Sequence, residues 1–199
     1  MPFIIDMLGT FAFAITGAYK AIQYKLDWLG VLILATATGV GGGILRDVML
    51  GLTPPVAFNT PAYIIVCALA SIITLKAQHV IKATWNYVLI ADALGLGFFT
   101  AVGASKAAAM GASPVAIVCM AAVTAAGGGA LRDILVSEIP QILKSDFYAT
   151  AAIAGGILFV VLRYLGVESI DTCTIITTVF TFALRVVAMR RKLHLPQAK

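Results

Sequence analysis

The stretch Gly41-Gly42-Gly43-Ile44-Leu45-Arg46-Asp47 returns 86 residues later as Gly127-Gly128-Gly129-Ala130-Leu131-Arg132-Asp133. Three consecutive glycines followed by a buried-looking Arg-Asp pair are unusual inside an apolar run, and two copies in one chain point to a duplication. Working outward at the same ungapped shift of 86, Asp6 falls on Asp92, Gly9 on Gly95, Phe13 on Phe99 and Gly17 on Gly103. Lys20 falls on Lys106, Thr38 on Thr124 and Pro54 on Pro140. The aligned residues are the rare ones of the chain, so general hydrophobicity does not explain the match.

The segments carrying these motifs belong in a bilayer. Apolar residues make up 61% of the 199 and charged residues 12%, with a mean hydropathy of +1.00. A soluble domain carries roughly twice that share of charge, which excludes a free cytosolic enzyme or nucleic-acid binder. A hydrocarbon core of roughly 30 Å needs about 20 apolar residues in a helix. Seven stretches are placed as spans, the third of them short: Phe3 to Ile22, Trp28 to Leu50, Pro61 to Leu75, Trp85 to Ser105, Pro114 to Val136, Phe147 to Leu165 and Cys173 to Met189. None alternates apolar and polar residues as a barrel strand would. Asp6 within the first stretch, and the lack of a basic leader, make it a span and not a cleaved signal. Cys67, Cys119 and Cys173 lie in apolar runs at no metal or redox spacing and read as small core residues.

Each copy of the repeat holds three spans, and an odd number makes the second copy cross the membrane in the opposite sense. The expected fold is therefore an all-α integral membrane protein, a single membrane domain over residues 1–199. It has two inverted three-helix repeats, 3–80 and 85–166, and a seventh helix over 171–190. With the C-terminus inside, that side collects eleven basic residues: Lys20, Lys25, Lys76, Lys82, Arg132, Lys144, Arg185, Arg190, Arg191, Lys192 and Lys199. The other side has three: Arg46, Lys106 and Arg163. The net charge of +5 thus marks orientation, N-terminus outside and C-terminus cytoplasmic in a prokaryotic plasma membrane. The tail from Arg190 to Lys199 reads as a stop-transfer anchor beside membrane lipid.

Each glycine in a helix loses roughly 1 kcal/mol against alanine, so each triplet weakens its span by about 3 kcal/mol. A break or kink at Gly41, Gly42, Gly43 and at Gly127, Gly128, Gly129 would free backbone carbonyls, which then need water or an ion. Glycine-interrupted helices at matching places in two halves are the best sequence pointer to a transport site. Thr38 and Thr124, three residues before each triplet, either line such a path or bond back to their own helix. Charges within spans cost about 2.5–3.5 kcal/mol on the insertion scale, so Arg46, Asp47, Arg132, Asp133, Asp6 and Asp92 need partners or water. Neighbours on a helix point about 100° apart, so Arg46 is expected to look past Asp47 to another helix. Depth groups Asp6, Arg46 and Lys106 in one leaflet and Asp92, Arg132 and Lys20 in the other. No nucleotide loop, catalytic constellation or metal-ligand cluster is present, and His79 and His194 lie in polar connections. Neither enzymatic activity nor a cofactor or metal is expected.

These features resemble the prokaryotic TRIC family, the trimeric intracellular cation channels, and the related bacterial domain labelled a glycine transporter. The resemblance rests on Gly41 to Asp47, Gly127 to Asp133, the three-plus-three-plus-one layout and the outside N-terminus. It implies a homotrimer with a pore in each subunit, lined by glycine-kinked spans two and five and passing K⁺ and Na⁺. Animal members carry a Lys-Glu-Val segment that engages a phosphoinositide and Ca²⁺; this chain has no such tripeptide. Two functions follow. One is a passive monovalent-cation channel. The other is a secondary transporter of a small zwitterion such as glycine, rocking about a midplane site. A scaffold whose repeats serve packing alone is a third, weaker reading.

Overall fold

A computed structural model describes residues 2–83, 85–144, 147–191 and 193, with side chains for all but 2, 78–83 and 85–87. Lys192 and the tail from 194 to Lys199, with His194, lie outside the described residues, as do the side chains of His79 and Lys82. The described residues form helices and no strand: α1 Pro2–Gln23, α2 Trp28–Met49, α3 Val56–Asn59, α4 Ala62–Ala83, α5 Trp85–Ala109, α6 Pro114–Leu135, α7 Gln141–Lys144, α8 Ala149–Tyr164 and α9 Ile170–Arg191.

Five helices carry apolar windows long enough to cross a bilayer: Phe3–Gln23, Trp28–Met49, Val88–Ala109, Pro114–Leu135 and Ile170–Arg191. Two shorter apolar segments, Ala62–Ala77 and Ala149–Tyr164, lie where the third and sixth spans are expected. The third expected span ends at Leu75, but α4 runs on to Ala83. Its polar continuation ends the apolar stretch and not the helix, because straight side chains such as Lys76 and Gln78 lose little rotamer freedom in a helix. The single-turn helices α3 and α7 stand where the sequence reads as connection.

Helix ends follow local chemistry. The Asp27 carboxylate accepts from Gly30 N at 2.7 Å to start α2, and the Ser113 hydroxyl accepts from Ala116 N at 3.3 Å to start α6. After α5 the chain turns at Gly111, whose φ of 70° a side chain would resist.

Four helices form a ring: α1 packs on α2, α2 on α6, α6 on α5 and α5 on α1, with slight contact across the diagonals. Alanines make the close approaches, among them Ala14, Ala18, Ala35 and Ala70 in one cluster and Ala104, Ala107 and Ala121 in another. Outside the ring, α4 leans mainly on α1, whereas α8 leans mainly on α6, because α9 takes the flank of α5. Cys67 and Cys173 are buried as expected; Cys119 instead lies on an exposed face. Isoleucines such as Ile33, Ile64, Ile65, Ile72 and Ile73 are exposed, as suits helices that face lipid.

Candidate functional site

The glycine triplets lie where α2 crosses α6. A Cβ on Gly42 would stand 2.1 Å from the Thr124 carbonyl oxygen, and one on Gly128 would stand 2.1 Å from the Thr38 carbonyl oxygen. Gly41 and Gly127 take the facing leucines, with Leu131 Cδ1 at 2.6 Å and Leu45 Cδ1 at 3.0 Å from the same virtual atoms. Gly43 looks away, its nearest neighbour being Arg46 Nη2 at 3.6 Å. Of the expected break or kink, a break is absent. Both helices run uninterrupted through their triplets, and what the missing side chains provide is contact between two backbones. Thr38 and Thr124 bond back to their own helices, at 2.6 Å to Leu34 O and 2.5 Å to Met120 O, and sit over Gly17 and Gly103.

Beside this crossing the rings of Phe13 and Phe99 meet with centroids 5.2 Å apart. They are 0% and 2% exposed. Phe13 also reaches Gly128, with Cδ2 3.4 Å from its virtual Cβ. Phenylalanines and glycines that are 86 residues apart in sequence thus touch one another and form a close-packed septum inside the ring of four helices.

On one side of the septum lies a cluster around Arg46, which is 2% exposed. Arg46 Nε donates to Asp47 Oδ1 at 2.9 Å, contrary to the expectation that neighbours on a helix would not pair. The arginine arm is long enough to fold back along its helix, so the angular separation that limits short side chains does not apply. Asp47 Oδ1 also accepts from Lys106 Nζ at 2.7 Å, and Oδ2 accepts from Val56 N at 3.0 Å, tying α2 to α5 and α3. Asp6 accepts from the Tyr63 hydroxyl at 2.6 Å and makes no ion pair with Arg46 among the described residues. Arg46 Nη1 and Thr10 Oγ1 have no hydrogen-bond partner among the described residues. Both residues line a cavity of about 10 Å³ with Asp6, Gly43, Tyr63 and Phe99, which is room for about one water. Asp6 and Tyr63 also border a groove of about 350 Å³ lined by Val102, Ser105 and Lys106.

On the other side lies the counterpart around Arg132, which is 4% exposed. Its Nε donates to Asp133 Oδ1 at 2.9 Å, and its Nη1 donates to Asp92 Oδ1 at 3.2 Å and to Thr16 Oγ1 at 3.0 Å. Asp133 Oδ2 accepts from Gln141 N at 2.9 Å, as Asp47 does from Val56. A cavity of about 20 Å³ is lined by Thr16, Lys20, Asp92 and Arg132. Lys20 lines this cavity, but its ion pair is with Glu138 at 2.7 Å, not with Asp92. The Tyr24 hydroxyl donates to the same carboxylate at 2.5 Å. The hydrogen bonds from Lys20 and Tyr24 hold Glu138 below the usual glutamate range, and the bond to Glu138 pushes the Tyr24 hydroxyl up.

Several participants were not legible at the ungapped shift. Tyr63 and Tyr148 are 85 residues apart, as are the donors Val56 and Gln141. The second connection is one residue shorter, so a single gap after Pro54 and Pro140 would have aligned both pairs. Tyr148 is 1% exposed, with its hydroxyl 3.2 Å from a virtual Cβ on Gly129, and Arg185 of α9 stacks on its ring at 5.0 Å.

The chain is similar to known proteins over nearly its whole length. The family described as Glycine transporter matches residues 3–79 and 89–164. The UPF0126 inner membrane protein YadS of Escherichia coli K12 is 36% identical over 96% of this chain and 93% of its own length. A structure described in terms of conductance through TRIC cation channels is 40% identical, covers 98% of this chain and 96% of its own, and superposes with a TM-score of 0.91. The TRIC trimeric intracellular cation channel orthologue from Rhodobacter sphaeroides is 34% identical, over 96% of this chain and 98% of that one, with a TM-score of 0.90.

Proposed function

We propose, since this chain belongs to the glycine-transporter family of bacterial membrane proteins and is alike over nearly its whole length to TRIC channels, that it is a monovalent-cation channel. On this reading it is a homotrimer in a prokaryotic plasma membrane, and each protomer conducts K⁺ and Na⁺ through its own ring of α1, α2, α5 and α6. The two halves are inverted repeats followed by a seventh span, with the N-terminus outside and the C-terminus cytoplasmic.

The observation that supports this most is the pair of water-sized cavities at matched charge clusters, separated by a single septum at Phe13, Phe99, Gly42 and Gly128. Such an arrangement is a conduit in its closed state. Gly41 to Gly43 and Gly127 to Gly129 set how closely the walls approach, with Thr38 and Thr124 beside them. Asp6, Arg46, Asp47 and Lys106 guard one mouth; Asp92, Arg132, Asp133 and Lys20 guard the other. The structural neighbours are described as cation channels, and they favour the channel over the carrier of a small zwitterion, which has the family's description, Glycine transporter, on its side.

The test is a planar-bilayer recording of purified protein under K⁺, Na⁺ and Cl⁻ gradients. Cation-selective unitary currents are expected. Silence across lipids and voltages, or a reversal potential that follows Cl⁻, would refute the reading.

A further inference from the structure

The two charge clusters are made of matching residues, yet they are not equally closed. Arg132 has three acceptors, Asp133, Asp92 and Thr16, drawn from α6, α5 and α1. Among the described residues Arg46 has Asp47 alone, and its Nη1 faces a cavity without a partner. Part of the difference is local. Val102 stands at the 86-residue shift from Thr16 and offers no acceptor.

The remainder lies with the tyrosines. Tyr63 reaches Asp6 at 2.6 Å and takes that carboxylate away from Arg46. Its counterpart Tyr148 is held differently, for its buried ring is stacked under the Arg185 guanidinium at 5.0 Å. With the ring fixed over Gly129, the Tyr148 hydroxyl stays beside Asp92 but outside hydrogen-bond geometry, and Asp92 bonds to Arg132. Arg185 belongs to α9, which lies along α5 and α8 and has no equivalent beside α4. Arg185 thus brings the helix outside the aligned repeats onto the Arg132 cluster, while the far end of α9, at Ile170, borders the groove beside Asp6, Tyr63 and Lys106.

We propose that Arg185 is a positioning residue for the Arg132 constriction: by pinning Tyr148 it keeps Arg132 bound to Asp92 and Thr16, and this constriction sets how often the conduit opens. The inference rests on the channel reading. Its chemistry is a cation–π stack on a desolvated ring, which lysine reproduces poorly because it lacks a planar guanidinium.

The experiment records full-length protein in planar bilayers as wild type, R185L, R185K and R163L. Arg163 serves as a charge-loss control, since it is exposed and bonds only to the Val167 and Glu168 carbonyls among the described residues. Open probability is expected to rise at least tenfold in R185L and severalfold in R185K, with unitary conductance and reversal potential unchanged, and to stay at the wild-type level in R163L. The lysine variant separates stacking from charge. If Arg185 acted only by repelling Arg132, R185L would close the channel further and R185K would match wild type; either result overturns the proposal. An open probability within twofold of wild type in R185L overturns it too, and R185K alone decides the matter if the leucine variant does not fold. A wild-type protein that passes no cation current refutes the channel itself, whereas a conducting wild type with an unmoved R185L refutes this inference only.

Discussion

Substituting alanine along one glycine triplet tests what the triplets are for. At Gly42 the new Cβ would stand 2.1 Å from a backbone oxygen, about 1.3 Å short of ordinary contact at 3.4 Å. No side-chain rotation relieves this, because the obstacle is the Thr124 carbonyl, so α2 and α6 must separate. Overpacking of a filled interior costs about 1–3 kcal/mol and sometimes more. The higher helix propensity of alanine returns at most about 1 kcal/mol. Gly42→Ala and Gly128→Ala are therefore expected to destabilise. At Gly43 the nearest atom is 3.6 Å away and belongs to a flexible arginine, so Gly43→Ala is expected to be neutral or to gain up to about 1 kcal/mol. Gly41→Ala falls between, since the end of Leu131 can move. Thermal midpoints of the purified protein in detergent, followed by size-exclusion chromatography, give the order. If the triplet served only to weaken its helix, all three substitutions would stabilise alike, and that equality would refute the packing argument.

Three further outcomes follow from the geometry. Phe13→Ala or Phe99→Ala removes half of the septum and is expected to raise open probability in bilayer recordings, at a stability loss of about 3–5 kcal/mol; unchanged gating would show that the septum lies off the path. Asp47→Asn removes the one ion-pair partner that Arg46 and Lys106 have among the described residues and should destabilise by about 3–5 kcal/mol, as expected when a buried charge loses its partner. Asp133→Asn should cost less, because Arg132 keeps Asp92; unfolding midpoints of the two variants compare them. Glu138 is held below its usual range, so its bond to Lys20 contributes fully at neutral pH and, on the acid side, is lost as pH falls through the lowered value. Acidification from pH 7 to about 5 should leave gating unchanged, while Glu138→Gln should alter it at pH 7; a pH response in that interval that Glu138→Gln abolishes would contradict the sign.

The charged residues were readable because a carboxylate or guanidinium in an apolar run is expensive and so stands out. Asp6, Arg46, Asp47, Asp92, Arg132 and Asp133 all come out buried around two cavities. The position of the glycines was equally plain, but their task was not. Whether a glycine interrupts its own helix or admits another depends on what stands opposite, and the Thr38 and Thr124 carbonyls come from the other helix of the crossing. Glu138 sits in a polar connection, where a carboxylate needs no explanation, so nothing marked it as the partner of Lys20. Arg185 counted only as one more positive charge near a helix end. Its stack on Tyr148 joins a helix outside the duplication to a residue displaced by one position within it.

Two arginines beside a cation path are the chemical difficulty of the channel reading, and the adjacent carboxylates resolve it. Each guanidinium carries its own counter-charge on the same helix, Asp47 for Arg46 and Asp133 for Arg132. These pairs move as units with α2 and α6. Suppose the Arg132 constriction opens by parting α6 from α5 and α1. Arg132 then leaves Asp92 and Thr16 but keeps Asp133, so the net new charge beside the widened cavity is the Asp92 carboxylate. At an effective dielectric constant of about 20, a monovalent cation 4 Å from such a carboxylate is favoured by about 4 kcal/mol and an anion is disfavoured equally. Had Arg132 relied on Asp92 alone, the same motion would expose a bare guanidinium beside the carboxylate and cancel the preference. On the channel reading, pairing between neighbours in sequence, the arrangement that helix geometry argued against, would therefore let one motion both open the path and give it the sign a cation needs.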